Sequence, residues 1–351
     1  MNLQQVARRA KVSTATVSRV INNASVVRNA TRTRVLRAIE ELKYHPNLQA
    51  RSLAGGKSNT IGVIVSNLEN PFFFDIYKTI AALAHEHGYE VLIANTDYRP
   101  EQLAASVRLM IGRRVDGLAP IVSEMELPLI AELVGLRIPV VFYDVGTPSE
   151  TISSIRVNYA GAVERVVEHL YGFGHRRIGF IGHHSMLGPL NERMKTVLDA
   201  VSRRPGLEVR TAADEDTLEG GRRAAHSLFA SGFDLTALVC VNDLTAVGAM
   251  RALRELGRCV PKDVSVTGFD NVKLAEFCYP SLTTVDIPRE RIGQIMCAQL
   301  LSARGTPPPP GKEVLIEPTL VVRDSTGPAR QPGCNLGGAA PALVQSVFRL
   351  P

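Results

Sequence analysis

The feature that most constrains this chain is a repeated alternation of short apolar runs and helix-length segments. Thr60-Ile-Gly-Val-Ile-Val65 is brief and β-branched, which suits a strand buried on both faces of a parallel sheet. Next come a helix over about Phe72 to His87, a strand at Glu90-Val-Leu-Ile-Ala94 and a helix from Pro100 to Ile111. Strand Val115-Asp-Gly-Leu-Ala119, helix Leu127 to Val134 and strand Ile138-Pro-Val-Val-Phe-Tyr143 continue the pattern. It then recurs, with strands at Ile178-Gly-Phe-Ile181, Ala237-Leu-Val-Cys-Val241 and Val264-Ser-Val-Thr-Gly268 between helices near 159–172, 190–202, 218–230 and 243–256. Such alternation predicts doubly wound parallel α/β sheets. Two such lobes on one chain predict a cleft between them, with ligands outside the carboxyl ends of the strands.

Polar residues just after strands are therefore candidates for ligand contact. They are Asn67 and Asn70 beside Phe72-Phe73-Phe74, then Asp144, Asn242-Asp243 and Asp270. Each has a plainer reading, since Asn and Asp after a strand commonly cap the next helix. Phe72 to Phe74 are equally suited to a core or to a cleft lip. Acids, amides and aromatics converging on one edge suit a hydroxylated or otherwise polar small molecule. His183-His184 reads as a loop at the lobe edge rather than a metal pair, because adjacent histidines rarely share one metal.

Ahead of these lobes the charge changes. Residues 1–57 hold eleven Lys or Arg and two acids, Glu40 and Glu41, a net +9. The whole chain is +6, so the remainder is 6 − 9 = −3. A basic head on a slightly acidic body suggests a nucleic-acid-binding head, a solvated basic surface being the alternative. In Val12-Ser-Thr-Ala-Thr-Val-Ser-Arg-Val-Ile-Asn22, Ser13 is placed to cap a helix, and Val17, Val20 and Ile21 repeat on one buried face. Thr14, Ala15, Thr16, Ser18 and Arg19 remain outside. Small residues let a helix approach a major groove closely, and Arg reaches guanine or phosphate; an ordinary surface helix has the same pattern. A first helix capped by Asn2 buries Leu3, Val6, Ala7 and Ala10. A third, from about Ala30 to Leu42 with Thr31 or Asn29 as cap, presents Val35, Ile39 and Leu42. Between Pro46 and Gly55-Gly56 lies a stretch of barely two helical turns, marginal alone, which reads as a linker or as a helix that folds on binding.

Residues 1–57 resemble the head of the lactose/galactose repressor (LacI/GalR) family of bacterial transcription regulators. The matching pieces are Val6-Ala-Arg-Arg-Ala10, Val12 to Asn22, Thr31-Arg-Thr-Arg-Val35, and Tyr44-His-Pro-Asn47 through Leu53-Ala54. The body resembles the same family, which shares its fold with periplasmic sugar-binding proteins. Its matching motifs are Ile61-Gly-Val-Ile-Val65, Asn70-Pro-Phe-Phe73, Val115-Asp-Gly-Leu118, Gly172-Phe-Gly-His175, Asn242-Asp243 with Gly248, Val266-Thr-Gly-Phe-Asp270 and Pro280-Ser-Leu-Thr-Thr284. The resemblance implies a homodimer on a pseudo-palindromic double-stranded operator, with paired hinge helices wedging a leucine into the minor groove. It implies base contacts from Thr14, Ala15 and Arg19, with Ala50 and Leu53 in the hinge; Ser13, Thr16, Ser18 and Asn22 of the same stretch complete the expected DNA-binding set. It also implies effector contacts from Phe72, Phe73, Arg193, Asn242 and Asp270, and more weakly from Asp144. This chain departs from the family at Gln5, where helix 1 usually has Asp, and at Thr196, where a Gly usually follows the effector arginine. Tyr159 replaces a common Asn at a lobe crossover. Asp216 or Leu218 lies where an aromatic often closes the pocket.

The expected organisation is a helix-turn-helix head over 1–45, a hinge and linker over 46–57 and a two-lobed core over 58–325. Lobe 1 takes about 58–157 and 288–316, lobe 2 about 158–287 and 317–325. The chain crosses between them near 157, 287 and 317. Pro307 to Pro310 reads as a stiff loop, and 326–351, rich in Gly, Pro and Ala, as a disordered tail. The five cysteines form no CxxC pair, so neither a zinc site nor a disulfide framework is expected, and a reducing cytoplasm fits. No cofactor is expected. The apolar runs are too short and interrupted for a membrane span. An enzyme would need motifs such as GxSxG, a full P-loop GxxxxGK[ST] or HExxH; this chain contains none of them, since Gly56-Lys57-Ser58 has Arg51 where the P-loop needs its first Gly. A solute-binding protein would not need the basic head.

Overall fold

The computed structural model describes residues 2–21, 26–44, 58–135, 138–145, 152–184, 188–302 and 311–330. It divides into two units, Met1–Asn59 and Thr60–Pro351.

Among the described residues the first unit holds three short helices, α1 (Leu3–Ala10), α2 (Thr14–Ile21) and α3 (Asn29–Glu41). Asn2 starts α1 with a reciprocal cap: its side chain accepts from the Gln5 backbone N–H, and the Gln5 side chain accepts from its own. Gln5, the departure in helix 1, is thereby accounted for locally. Ser13 Oγ accepts from the Thr16 N–H at 3.2 Å, as a cap should. The third helix differs from expectation. Its N-cap is Arg28, with no side-chain cap bond, and Asn29 is already helical. Val6, Ala7, Ala10, Val17, Val20, Val35 and Ala38 close the core. Full burial of each valine contributes about 1.5–3 kcal/mol, which suits so small a bundle.

The second unit opens with β1 (Thr60–Val65), α4 (Pro71–Glu86), β2 (Glu90–Asn95), α5 (Pro100–Gly112), β3 (Gly117–Ile121), α6 (Leu127–Val134), β4 (Val140–Tyr143) and β5 (Ile152–Val157). The chain then passes to the other sheet through α7 (Tyr159–Gly172), β6 (Arg177–His183), α8 (Gly188–Ser202), β7 (Glu208–Asp214), α9 (Leu218–Ala230), β8 (Ala237–Cys240), α10 (Asp243–Glu255), β9 (Ser265–Asp270), α11 (Lys273–Phe277) and β10 (Thr283–Asp286). It returns through α12 (Arg289–Ser302) to β11 (Glu313–Ile316), and leaves again for β12 (Thr319–Val321). One sheet runs β11-β5-β4-β3-β1-β2, the other β12-β10-β9-β8-β6-β7. Among the described residues the strand pairings are parallel except β10 with β12. The three passages between sheets fall after Val157, Asp286 and Ile316.

Strands β5, β7, β10, β11 and β12 do not emerge from apolar runs. Ile152-Ser-Ser-Ile-Arg-Val157 mixes Ser and Arg with its apolar residues, and edge strand β7 exposes Glu208, Arg210, Thr211 and Ala213. Strands of three or four residues show no period. His183 ends β6 instead of lying in a loop. The body also extends five residues past 325. Thr326 bonds His169 and Thr283, the Gly327 carbonyl accepts from His175 and Ser265, and Arg330 pairs with Asp234. The tail reading therefore fails for 326–330, because backbone and side-chain partners in lobe 2 satisfy their polar groups. The rest of that tail, the hinge stretch and Pro307 to Pro310 lie outside the described residues.

Helices α9 and α10 cross closely. A Cβ on Gly248 would sit 2.0 Å from the Leu218 carbonyl oxygen, and one on Gly221 2.2 Å from that of Thr245. Glycine at both places lets the two N-termini converge, which brings Asp216 and Asn242 together.

Candidate functional site

The facing strand ends deliver twelve side chains to one enclosed cleft. From lobe 1 come Asn70, Phe72 and Phe73 after β1, Tyr98 after β2, Ser123 after β3 and Tyr143 at the end of β4. From lobe 2 come Tyr159, Leu190, Arg193, Asp216, Asn242 and Asp270. The cavity they leave is about 20 Å³, on the order of the space one water needs.

The capping reading and the ligand reading both hold for two residues. Asn70 accepts from the Phe72 N–H at 3.0 Å and opens α4 ahead of Pro71. Asn242 forms a capping box with Thr245, and its Nδ2 donates to Asp216 Oδ2 at 3.2 Å. Both also line the cavity. Asp243 is different: it accepts from Thr284 Oγ1 and the Val272 N–H, ties β9 to β10, and is absent from the wall. Phe72 meets Phe73 edge-on at 5.3 Å and Tyr143 at 5.8 Å.

Asp216 bridges the lobes. It accepts from Asn67 Nδ2 at 3.3 Å and from the Tyr98 hydroxyl, both in lobe 1. Burial raises its pKa, against the pull of those donors. Leu218, the other residue considered for closing the pocket, starts α9 and is not on the wall.

Arg193 is buried and almost fully engaged. Nη1 donates to the Val241 carbonyl at 2.7 Å and Nη2 to the Tyr159 hydroxyl at 3.1 Å. Its guanidinium lies 4.4 Å from the Tyr159 ring centroid and 5.4 Å from that of Phe269. Its Nε has no partner among the described residues. Asp270 sits at φ 100°, a conformation side chains rarely adopt. Its carbonyl accepts from Arg289. Burial lifts the Asp270 carboxyl to about 6, opposed by Arg193, Arg289 and Asn70.

Phe72, Phe73, Arg193, Asn242 and Asp270 thus share one wall. Asp144 stands behind it. Its carboxylate accepts from the Val157 N–H and the Tyr159 hydroxyl, each at 2.7 Å. Burial raises it to about 7 despite those donors. Tyr98, Tyr143, Ser123 and Leu190 escaped sequence reasoning. Looking for polar residues after strand β2, as after the others, would have found Tyr98.

In the head, Ser13, Thr14, Ala15 and Arg19 are exposed or partly exposed on one side of α2, with Thr16 and Ser18 partly covered. Glu41 pairs with Arg9 at 2.5 Å and Arg37 at 3.0 Å. Asn22, Ala50 and Leu53 lie outside the described residues.

Comparison with known proteins gives this geometry a family. Residues 2–47 match the model of bacterial regulatory proteins of the lacI family, and residues 167–326 that of a periplasmic binding protein-like domain. The HTH-type transcriptional repressor CytR of Escherichia coli (strain K12) is 33% identical over 327 residues, covering 92% of this chain and 96% of that protein. The chain belongs to the lacI family. Among solved structures, the lac repressor dimer bound to operator and the anti-inducer ONPF is 30% identical with a TM-score of 0.80, over 93% of this chain and 99% of that one. A complex of the transcriptional regulator CelR with cellobiose is 28% identical with a TM-score of 0.67, over the same shares. As a lacI-family member, the protein is a DNA-binding transcriptional regulator with a helix-turn-helix head and a periplasmic-binding-protein-like body. Among the described residues no helix is long and apolar enough to cross a membrane, and no cluster of metal-ligating side chains occurs.

Proposed function

We propose that this regulator is a homodimeric, cytoplasmic repressor whose affinity for a pseudo-palindromic operator is set by a small polar metabolite, a sugar or sugar-like molecule, between its lobes. The carrying observation is the wall itself. Arg193, with its unpartnered Nε, faces the same cavity as Asp270, Asn242, Phe72 and Phe73. Arg and Asp are the donors and acceptors that hydroxyls need, and aromatic faces suit the C–H surface of a sugar ring. The CelR complex with cellobiose lends support from a relative. A cavity of about 20 Å³ admits no sugar, so binding must change the lobe arrangement. A ligand that favours one arrangement shifts operator affinity, and the operator shifts ligand affinity equally.

In the head, Ser13, Thr14, Ala15, Thr16, Ser18, Arg19 and Asn22 read the major groove, and Ala50 and Leu53 engage the minor groove. For the dimer, Phe277 is 73% exposed and Tyr279, two residues on in lobe 2, is 99% exposed, apolar surface that self-association would cover.

The test is a thermal-shift panel of sugars, sugar acids and polyols, followed by operator binding with each hit. A bound ligand at a hundred times its Kd stabilises by about 2.7 kcal/mol. We expect a hit that also changes operator affinity. Asp270→Ala should retain operator binding and lose the response; an unchanged response would remove Asp270 from the site.

A further inference from the structure

Tyr159 is fully buried, and it occupies the cleft much as a ligand would. Its hydroxyl accepts from Arg193 Nη2 at 3.1 Å, lies 3.0 Å from the Tyr143 hydroxyl and donates to Asp144 at 2.7 Å. Its ring lies under the Arg193 guanidinium. These are the contacts that a hydroxylated ring would make with the same arginine. The side chain comes from the first residue of α7, immediately after the chain leaves lobe 1, while Asp144 lies just past β4 of lobe 1. Tyr159 therefore fills space, engages one arm of the effector arginine and joins the lobes at once. Parting the lobes does not remove it from the Arg193 side, because both residues belong to lobe 2.

We propose that Tyr159 is the residue that sets effector size in this protein, acting as a built-in occupant that restricts the cleft to compact, single-ring hydroxylated ligands. This rests on the interlobe cleft being the effector site. The ring of Tyr159 takes the part of the cleft nearest Arg193, so a ligand that reaches this arginine has room beside it for one ring and not for a second. Truncation to Asn keeps a polar group on the α7 side and frees the Arg193 arm. Substitution by Phe keeps the volume and removes only the hydroxyl.

The experiment titrates wild type, Tyr159→Phe and Tyr159→Asn with glucose and cellobiose by calorimetry, with circular dichroism and a melting curve for each protein. Tyr159→Asn should gain cellobiose relative to glucose by at least about tenfold in the ratio of Kd values, some 1.4 kcal/mol. Tyr159→Phe should keep the wild-type ratio. A folded Tyr159→Asn with the wild-type ratio, or with no binding of either sugar, would overturn the role of Tyr159. So would Tyr159→Phe behaving like Tyr159→Asn, since the volume is then not what matters. If Tyr159→Asn misfolds, Tyr159→Ser and Tyr159→His replace it under the same criteria. Failure of the effector reading is separate: cellobiose bound by Tyr159→Asn but unaffected by Asp270→Ala would place the ligand elsewhere.

Discussion

Arg289 Nη2 donates to the Asn271 carbonyl at 2.9 Å, tying the first turn of a lobe 1 helix to the end of a lobe 2 strand. The same guanidinium donates to the Asp270 carbonyl and pairs through Nε with Asp75 Oδ2 at 3.0 Å. Asp270 and Asn271 both have positive φ, at 100° and 49°. Arg289 thus holds the backbone that aims Asp270 into the cleft, and Asp75 on α4 holds Arg289.

Arg289→Ala should therefore destabilise the body by about 1.5–3 kcal/mol, the range for hydrogen bonds to a charged group. Urea unfolding reads this, and Arg289→Lys should recover part of it. A loss within about 0.5 kcal/mol, typical of a surface change, would show that the backbone at Asp270 holds itself.

The pH dependence has a definite sign. Burial raises Asp144 to about 7 and Asp270 to about 6, whereas both ionise near about 4 when unfolded. The folded state binds protons that the unfolded state has released, so each contribution to stability falls as pH rises from about 4 to about 7. Surface carboxylates such as Glu255, held at about 2 by Arg251, His226 and Arg222, act the opposite way. The difference between wild type and Asp144→Asn isolates the effect. The variant should gain relative stability across that pH window, and a flat difference would count against a buried, proton-binding Asp144.

Arg19 is exposed on α2. Arg19→Ala should weaken specific operator binding by about 1–3 kcal/mol if it reads a base, and much less on non-specific DNA. Equal losses on both, with a shallower salt dependence, would reassign it to phosphate. Leu53→Ala should likewise spare non-specific binding and reduce the operator bend measured by fluorescence energy transfer between labelled DNA ends. An unchanged bend would remove the wedge.

Tyr279→Asp puts a charge into the exposed apolar surface at Phe277 and Tyr279. Sedimentation at micromolar concentration should show a shift from dimer to monomer with the melting temperature of the monomer unit preserved. A dimer that persists unchanged would place the interface elsewhere.

Local rules account for the features that the sequence determined by itself. The period of apolar residues in 60–143 and 178–268 dictates buried parallel strands between helices. The stretch Val12 to Asn22 needs only a cap and a three-to-four-residue apolar repeat to be a helix with one exposed face. Phe72, Phe73, Asn242 and Asp270 were legible because parallel strands place the residues after their carboxyl ends along one edge, whereas Arg193, inside α8, was legible only through the resemblance to the family. The features that only tertiary structure decided depend on groups distant in sequence. Asp216 gains its meaning from Asn67 and Tyr98 in the other lobe. Tyr159 is a cleft residue because Arg193 and Asp144 meet at its hydroxyl. Residues 326–330 are ordered because His175, Ser265 and Asp234 wait for them. Periodicity specifies which face a residue takes, while a hydrogen bond across 15 to 149 positions needs the chain already folded to bring its partners within reach.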